Sequence, residues 1–193
     1  MSEAVSHKER TRQRILDEAA AIMRVVGTEG IGVAALMKRV GLTHGGFYAH
    51  FSSRDDLVAQ VVGQMFDQTH ARVRSEISDG SVAQQLAQLI DLYLSPEARN
   101  APECSCPLPS LSGEASRLPP EARQRFDQGI QAMHALLMQW LSALGHEEAR
   151  MLASSVQAEM IGAMALARAI PDEARAGSAL QASRTALKQR IGI

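Results

Sequence analysis

The chain has little of what builds sheets or seals small scaffolds. Only 4% of its 193 residues are aromatic. Strands draw on Val, Ile, Tyr, Phe, Trp and Thr, whereas Ala, Leu, Met, Gln, Arg and Glu, which abound here, favour helix. An all-β sandwich or barrel is excluded on that ground. Two cysteines exclude a disulfide-stapled scaffold and fit a reducing cytoplasm, the expected compartment. No apolar run approaches about 18 residues, so no membrane span is expected. Met1–Arg14 is polar and carries both charge signs, unlike a secretory leader. Excess charge of one sign is also missing. The net charge is -1, with eight basic against seven acidic residues over 1–60, so overall charge does not mark a nucleic-acid binder. What the chain does have is a 46% apolar composition, enough for the core of one domain or of one domain with a small appended unit.

The apolar residues recur at helical period. Ile15, Leu16, Ala19, Ile22, Met23 and Val26 form one stripe, closed by Gly27 or Gly30. A short helix is expected over 33–40, with Val33, Leu36, Met37 and Val40 on one face, and Gly41 directly after it. A third short segment covers 43–51, with Phe47 and Phe51 four apart and pointing inward. Ser53 reads as the cap of a helix whose first turn holds Asp55 and Asp56 and which runs to about Ser78. A helix over 82–95 follows. Six of the seven prolines lie in 96–120, an irregular connector with one or two short turns around 108–117. Three long helices are expected over 120–143, 147–170 and 172–189.

The informative stretch is VAALMKRVGLTHGGFYAHF, residues 33–51. Two short helices meeting at a glycine make a helix-turn-helix pattern, whose second helix lies in the DNA major groove. Gly45 and Gly46 cost that second helix about 1–2 kcal/mol against alanine, which a purely structural helix has little reason to carry. A surface approached closely by another backbone does have a reason. Thr43 at the cap can meet a phosphate, and His44 is the exposed polar group nearest the base edges. Tyr48 and His50 can donate to phosphate oxygens, and Arg54 begins the next helix beside them. Upstream, Lys8, Arg10, Arg12 and Arg14 concentrate positive charge, which taken alone also reads as a solvated helix start.

Residues 8–66 resemble the N-terminal domain of the TetR/AcrR family of bacterial transcriptional regulators. The resemblance rests on the basic first helix, Val40-Gly41-Leu42, the block Gly45-Gly46-Phe47-Tyr48-Ala49-His50-Phe51, and Ser53-Arg54-Asp55-Asp56-Leu57. Gly32 departs from the family pattern, which more often has a hydroxyl residue there, so one phosphate contact fewer is expected. The resemblance implies an all-α protein: a three-helix DNA-binding domain over 1–55 and a helical ligand-binding and dimerisation domain over 56–193. It implies base or groove contact by Thr43, His44 and Gly45, and phosphate contact by Tyr48, His50, Arg54 and Arg12. It further implies a homodimer on double-stranded, pseudo-palindromic operator DNA, usually a repressor released by a small-molecule or electrophile inducer. Met151, Leu152, Ser155, Val156, Met160, Ala163 and Met164, with Ala179, Ala182, Ala186 and Leu187, would form the dimer faces.

Tyr93, Cys106, Leu111, Met133, Leu137, Trp140 and Met160 are candidates for an inducer pocket, whose methionines suit varied apolar ligands. Cys106 precedes Pro107; a helix starting there would lower its pKa and make it a reactive thiol, while the plainer reading is a small buried residue. Cys104-Ser105-Cys106 lacks the spacing and partners of a zinc site, and neither metal nor cofactor is expected. No nucleophile elbow, phosphate loop, HExxH pair or carboxylate dyad is present, so the protein is not expected to be an enzyme. A helical adaptor binding only proteins would leave Gly45-Gly46 and the basic first helix unexplained.

Overall fold

The computed structural model describes residues 6–77 and 79–193. The expected helix end at Ser78, and residues 1–5 of the polar N-terminal stretch, lie outside the described residues. The architecture is all-α, as expected, with nine α-helices and three short 3₁₀ turns among the described residues.

Helix α1, His7–Val26, is capped by Ser6, whose hydroxyl accepts from the Glu9 N–H at 3.1 Å. Of the two glycines behind it, only Gly27 takes a positive φ, +80°, and Gly30 does not. Helix α2, Val33–Arg39, ends in front of Gly41 at φ +74°, which lets the Leu42 N–H reach back to the Met37 carbonyl at 2.8 Å. The next segment, His44–Ala49, is a 3₁₀ helix rather than an α-helix. Its tighter winding follows from its length and from its two glycines, which weaken any longer α-helix.

Helix α3, Arg54–Glu76, is capped by Ser53, and α4, Val82–Tyr93, opens with a capping box between Ser81 and Gln84. The proline-rich connector is more ordered than expected. It contains α5, Pro96–Asn100, a 3₁₀ turn at Pro102–Cys104, α6, Leu108–Leu111, and a further 3₁₀ turn at Ala115–Arg117. Helix α7, Pro120–Ala143, has proline in its first turn, where the missing N–H has no partner to lose. Helices α8, Ala149–Ala169, and α9, Glu173–Ile191, complete the chain, and Gly192 closes α9 in the left-handed conformation.

The buried residues form two clusters. One joins α1, α2 and the 3₁₀ segment to Leu57–Phe66 of α3, and continues into Leu108, Leu111, Leu118 and Phe126. The other joins α4, the second half of α7, α8 and α9. Packing therefore does not divide the chain at 55/56, because the first half of α3 is core to the N-terminal unit. Arg24, 3% exposed, fastens this unit to the rest: its guanidinium donates to the Met65 carbonyl, the Gln68 side chain and the Glu103 carbonyl at 2.9–3.1 Å. Burial lowers its pKa. Beside it, the Thr28 N–H donates to Glu114 at 2.9 Å, so the connector grips the end of α1 twice.

Where α3 crosses α7, the Phe66 ring lies over Gly129 and meets Phe126 edge-on, with centroids 5.7 Å apart. A Cβ on Gly129 would stand 2.3 Å from that ring. Gly129→Ala is therefore expected to destabilise the protein by about 1–3 kcal/mol, the usual cost of overpacking, read as a lower thermal unfolding midpoint.

Candidate functional site

The helix-turn-helix is held from behind by aromatic burial. Phe47 and Phe51 are 1% and 2% exposed and stack with centroids 5.4 Å apart. Each such burial stabilises by roughly 1.5–3 kcal/mol. With that side committed to the core, the opposite side of the segment faces water. Thr43, His44 and Gly45 are exposed, and Tyr48 is 67% exposed. A Cβ built on Gly45 meets nothing within 4 Å, so nothing inside the molecule requires glycine there. The Thr43 hydroxyl caps the segment by accepting from the Gly46 N–H at 3.3 Å. Tyr48 stands edge-on to Phe47 at 5.2 Å and to His44 at 6.2 Å, so the two exposed rings brace one another.

The remaining expected contacts are placed less freely. His50 is half-buried against Phe51, and its Nδ1 is buried without a partner. Burial, with the positive charges of Lys8 and Arg12 nearby, lowers its pKa. Arg12 lies over the Phe51 ring at 5.6 Å and donates to the Gln60 side chain. Arg54 donates to Glu29 at 2.9 Å and to the Thr28 carbonyl at 2.6 Å, so it already locks the loop between α1 and α2. Lys8, one of the positive charges already noted on the first helix, acts on His50 together with Arg12, while Glu9 acts with the opposite sign. The sequence reading missed two braces. Arg14 donates to the Val40 carbonyl at the end of α2 at 2.5 Å, and Arg39 pairs with Glu18 at 2.6 Å.

A cavity lies in the helical body, in two lobes of about 40 and 50 Å³ that share Thr69, Val73, Leu89, Tyr93 and Cys106. Of the expected pocket residues, Tyr93, Cys106 and Met133 line it. Leu111, Leu137 and Met160 do not: each is fully buried in the core, where the helical stripes that suggested them point. Trp140 lines an outer groove that borders the second lobe at His70, Val73, Ala132 and Leu136. Of the two readings of Cys106, its surroundings favour the plainer one, a small buried residue. Burial pushes the Cys106 thiol up, against lowering contributions from the Leu108 N–H and the Tyr93 hydroxyl. The helix after it, α6, has four residues, too short for a strong dipole.

These features define a protein class: a helix-turn-helix unit with a solvent-facing recognition segment, carried on a helical body with an internal cavity. Residues 15–61 match the profile of bacterial regulatory proteins of the tetR family. Over more than nine-tenths of its length the chain resembles solved structures. The reduced form of E. coli NemR gives a TM-score of 0.81 at 21% identity, over 93% of this chain and 96% of that one. A TetR transcriptional regulator from Chloroflexus aurantiacus J-10-FL gives 0.83 at 22%, over 96% of each. One from Agrobacterium tumefaciens gives 0.82 at 22%, over 95% and 98%. No curated protein matches the chain. Residues 15–61 thus carry the tetR-family DNA-binding-domain pattern by sequence, and the full length shares its fold with these solved structures. No helix among the described residues is long and apolar enough to cross a membrane.

The base of the recognition unit depends on Asp56. Burial alone would raise its carboxyl, but hydrogen bonds from Gln60 and from the N–H and hydroxyl of Ser52 bring it below the ordinary value. A depressed folded pKa gives stability that is complete above the unfolded value, about 3.8, and is lost as pH falls through the folded value. Asp56→Asn should therefore lower the urea midpoint at pH 7, with the gap from wild type closing on acidification below pH ~4.

Proposed function

We propose that the protein is a homodimeric repressor that binds a pseudo-palindromic operator and is released by a small molecule entering the helical body. The observation that carries the DNA half is the exposed edge formed by Thr43, His44, Gly45 and Tyr48, with His50, Arg12 and Lys8 nearby. In the major groove, His44 is the residue proposed to read base edges, with Thr43 and Gly45 at the closest approach. Tyr48 and His50 supply phosphate contacts. Arg54 and Arg12 act through the loops and rings they hold. The proposed DNA-reading unit extends beyond the expected 1–55 to include the first half of α3.

Dimerisation is supported by an exposed stripe on α8. Met151 and Leu166 are 61% and 66% exposed, with Ala158 between them, and Ala182 and Ala186 of α9 are also exposed. Gly162 and Gly177 have nothing within 4 Å of a built Cβ, so the protomer has no need of glycine at either position. A second helix packing closely would. Val156, Met160, Met164 and Leu187, expected on these faces, are instead core of the protomer. Two heads related by a two-fold axis match two successive major grooves. An inducer that binds better to a different head spacing shifts the population away from the DNA-competent one.

A gel shift with DNA from beside the coding region, run at several salt concentrations, tests this reading. Salt-dependent binding is expected, and its absence overturns the proposal. His44→Ala should alter the ranking of operator sequences, whereas Tyr48→Phe should weaken all of them by roughly three- to ten-fold. Leu166→Glu should give a monomer by light scattering and lose most operator affinity.

A further inference from the structure

The cavity has walls of unequal chemistry, and that inequality selects a ligand. Val73, Leu89 and Met133 make its apolar lining, and no aspartate or glutamate lines either lobe. Two donors at the wall are incompletely used. The Tyr93 hydroxyl is buried and has no oxygen or nitrogen partner; its polar neighbour is the Cys106 thiol. Arg168, reaching from α8, donates to the Ser110 hydroxyl and the Ala98 carbonyl at 2.9 Å, and its Nε is buried without a partner. Among the described residues no carboxylate stands within 4 Å of Arg168, whereas the other cation of the wall, Arg72, is paired with Glu76 at 2.7 Å. Tyr93 and Arg168 are near enough for each to act on the other's ionisation. Arg168 is half-buried, and Glu103 is the carboxylate that acts on it, from beyond ion-pair distance; an anion that reaches the unpartnered Nε supplies a direct partner.

We infer that the cavity is a site for a small amphiphilic anion, a carboxylate on a short apolar body. The carboxylate accepts from the Tyr93 hydroxyl and the Arg168 guanidinium, and the apolar body lies against Val73, Leu89 and Met133. This rests on the sensing role proposed above and names the chemistry of what is sensed.

The test is calorimetry on the full chain at neutral pH with two matched pairs, benzoate against benzamide and hexanoate against hexanamide. Each carboxylate is expected to bind at least ten-fold more tightly than its amide. Tyr93→Phe, which keeps the ring, and Arg168→Gln should each weaken carboxylate binding about ten-fold and leave the amide within about two-fold. Thermal melts show whether Arg168→Gln has also loosened the fold, and Tyr93→Phe decides the matter if it has. Equal binding of acid and amide overturns the inference, as does carboxylate binding indifferent to both variants, or no carboxylate binding at all. The ligand-free wild type is run in parallel against DNA. Loss of the carboxylate preference with DNA binding intact sinks the ligand class alone, while a protein that ignores DNA sinks the regulator reading and leaves the calorimetry standing.

Discussion

The outward presentation of the recognition segment depends on the burial of Phe47 against Phe51. A six-residue 3₁₀ turn containing two glycines has too few backbone hydrogen bonds to hold itself in water. The aromatic pair supplies the missing constraint, because withdrawing either ring exposes a large apolar surface. Once those rings are committed inward, His44, Gly45 and Tyr48 have only the solvent side left. The other braces serve that placement. Arg14 neutralises the carbonyl end of α2, Arg54 ties the preceding loop, and Asp56 gathers the turn that opens α3.

The same unit is continuous with the helical body. Arg24 is the joint: one buried guanidinium touches the end of α1, the middle of α3 and the Pro102–Cys104 turn together. That turn runs directly into Ser105 and Cys106 at the cavity. A short stretch of backbone, Glu103 to Cys106, thus joins the contact with Arg24 to the cavity wall, and the connector also grips Thr28 through Glu114.

Much of this was legible in the sequence. Helical periodicity, the serine caps and the glycine stops placed the long helices within a few residues, and Pro120–Ala143 coincides with the expected span. Phe47 and Phe51 read as core from their spacing alone. The edge residues Thr43, His44, Gly45 and Tyr48 were legible as an outer edge from the helix-turn-helix pattern and from the resemblance of the block around them. The cavity was not. Leu111, Leu137 and Met160 are chemically indistinguishable from lining residues, and only packing shows that they fill space rather than border it. The order within the connector was hidden because prolines break long helices yet start short ones, as at Pro96. The engagement of Arg54 and Arg12 by partners 25 to 48 residues away depends on tertiary contact, which local pattern does not encode.

The central claim is that two copies of the segment around Gly45 enter successive major grooves on one face of a duplex. Protection of guanine N7, a major-groove atom, from methylation in a bound operator tests it most directly. The account predicts two protected patches centred about 10 base pairs, or a small multiple of that, apart on the same face. A single patch, or tight binding that leaves every guanine N7 open to methylation, would contradict it.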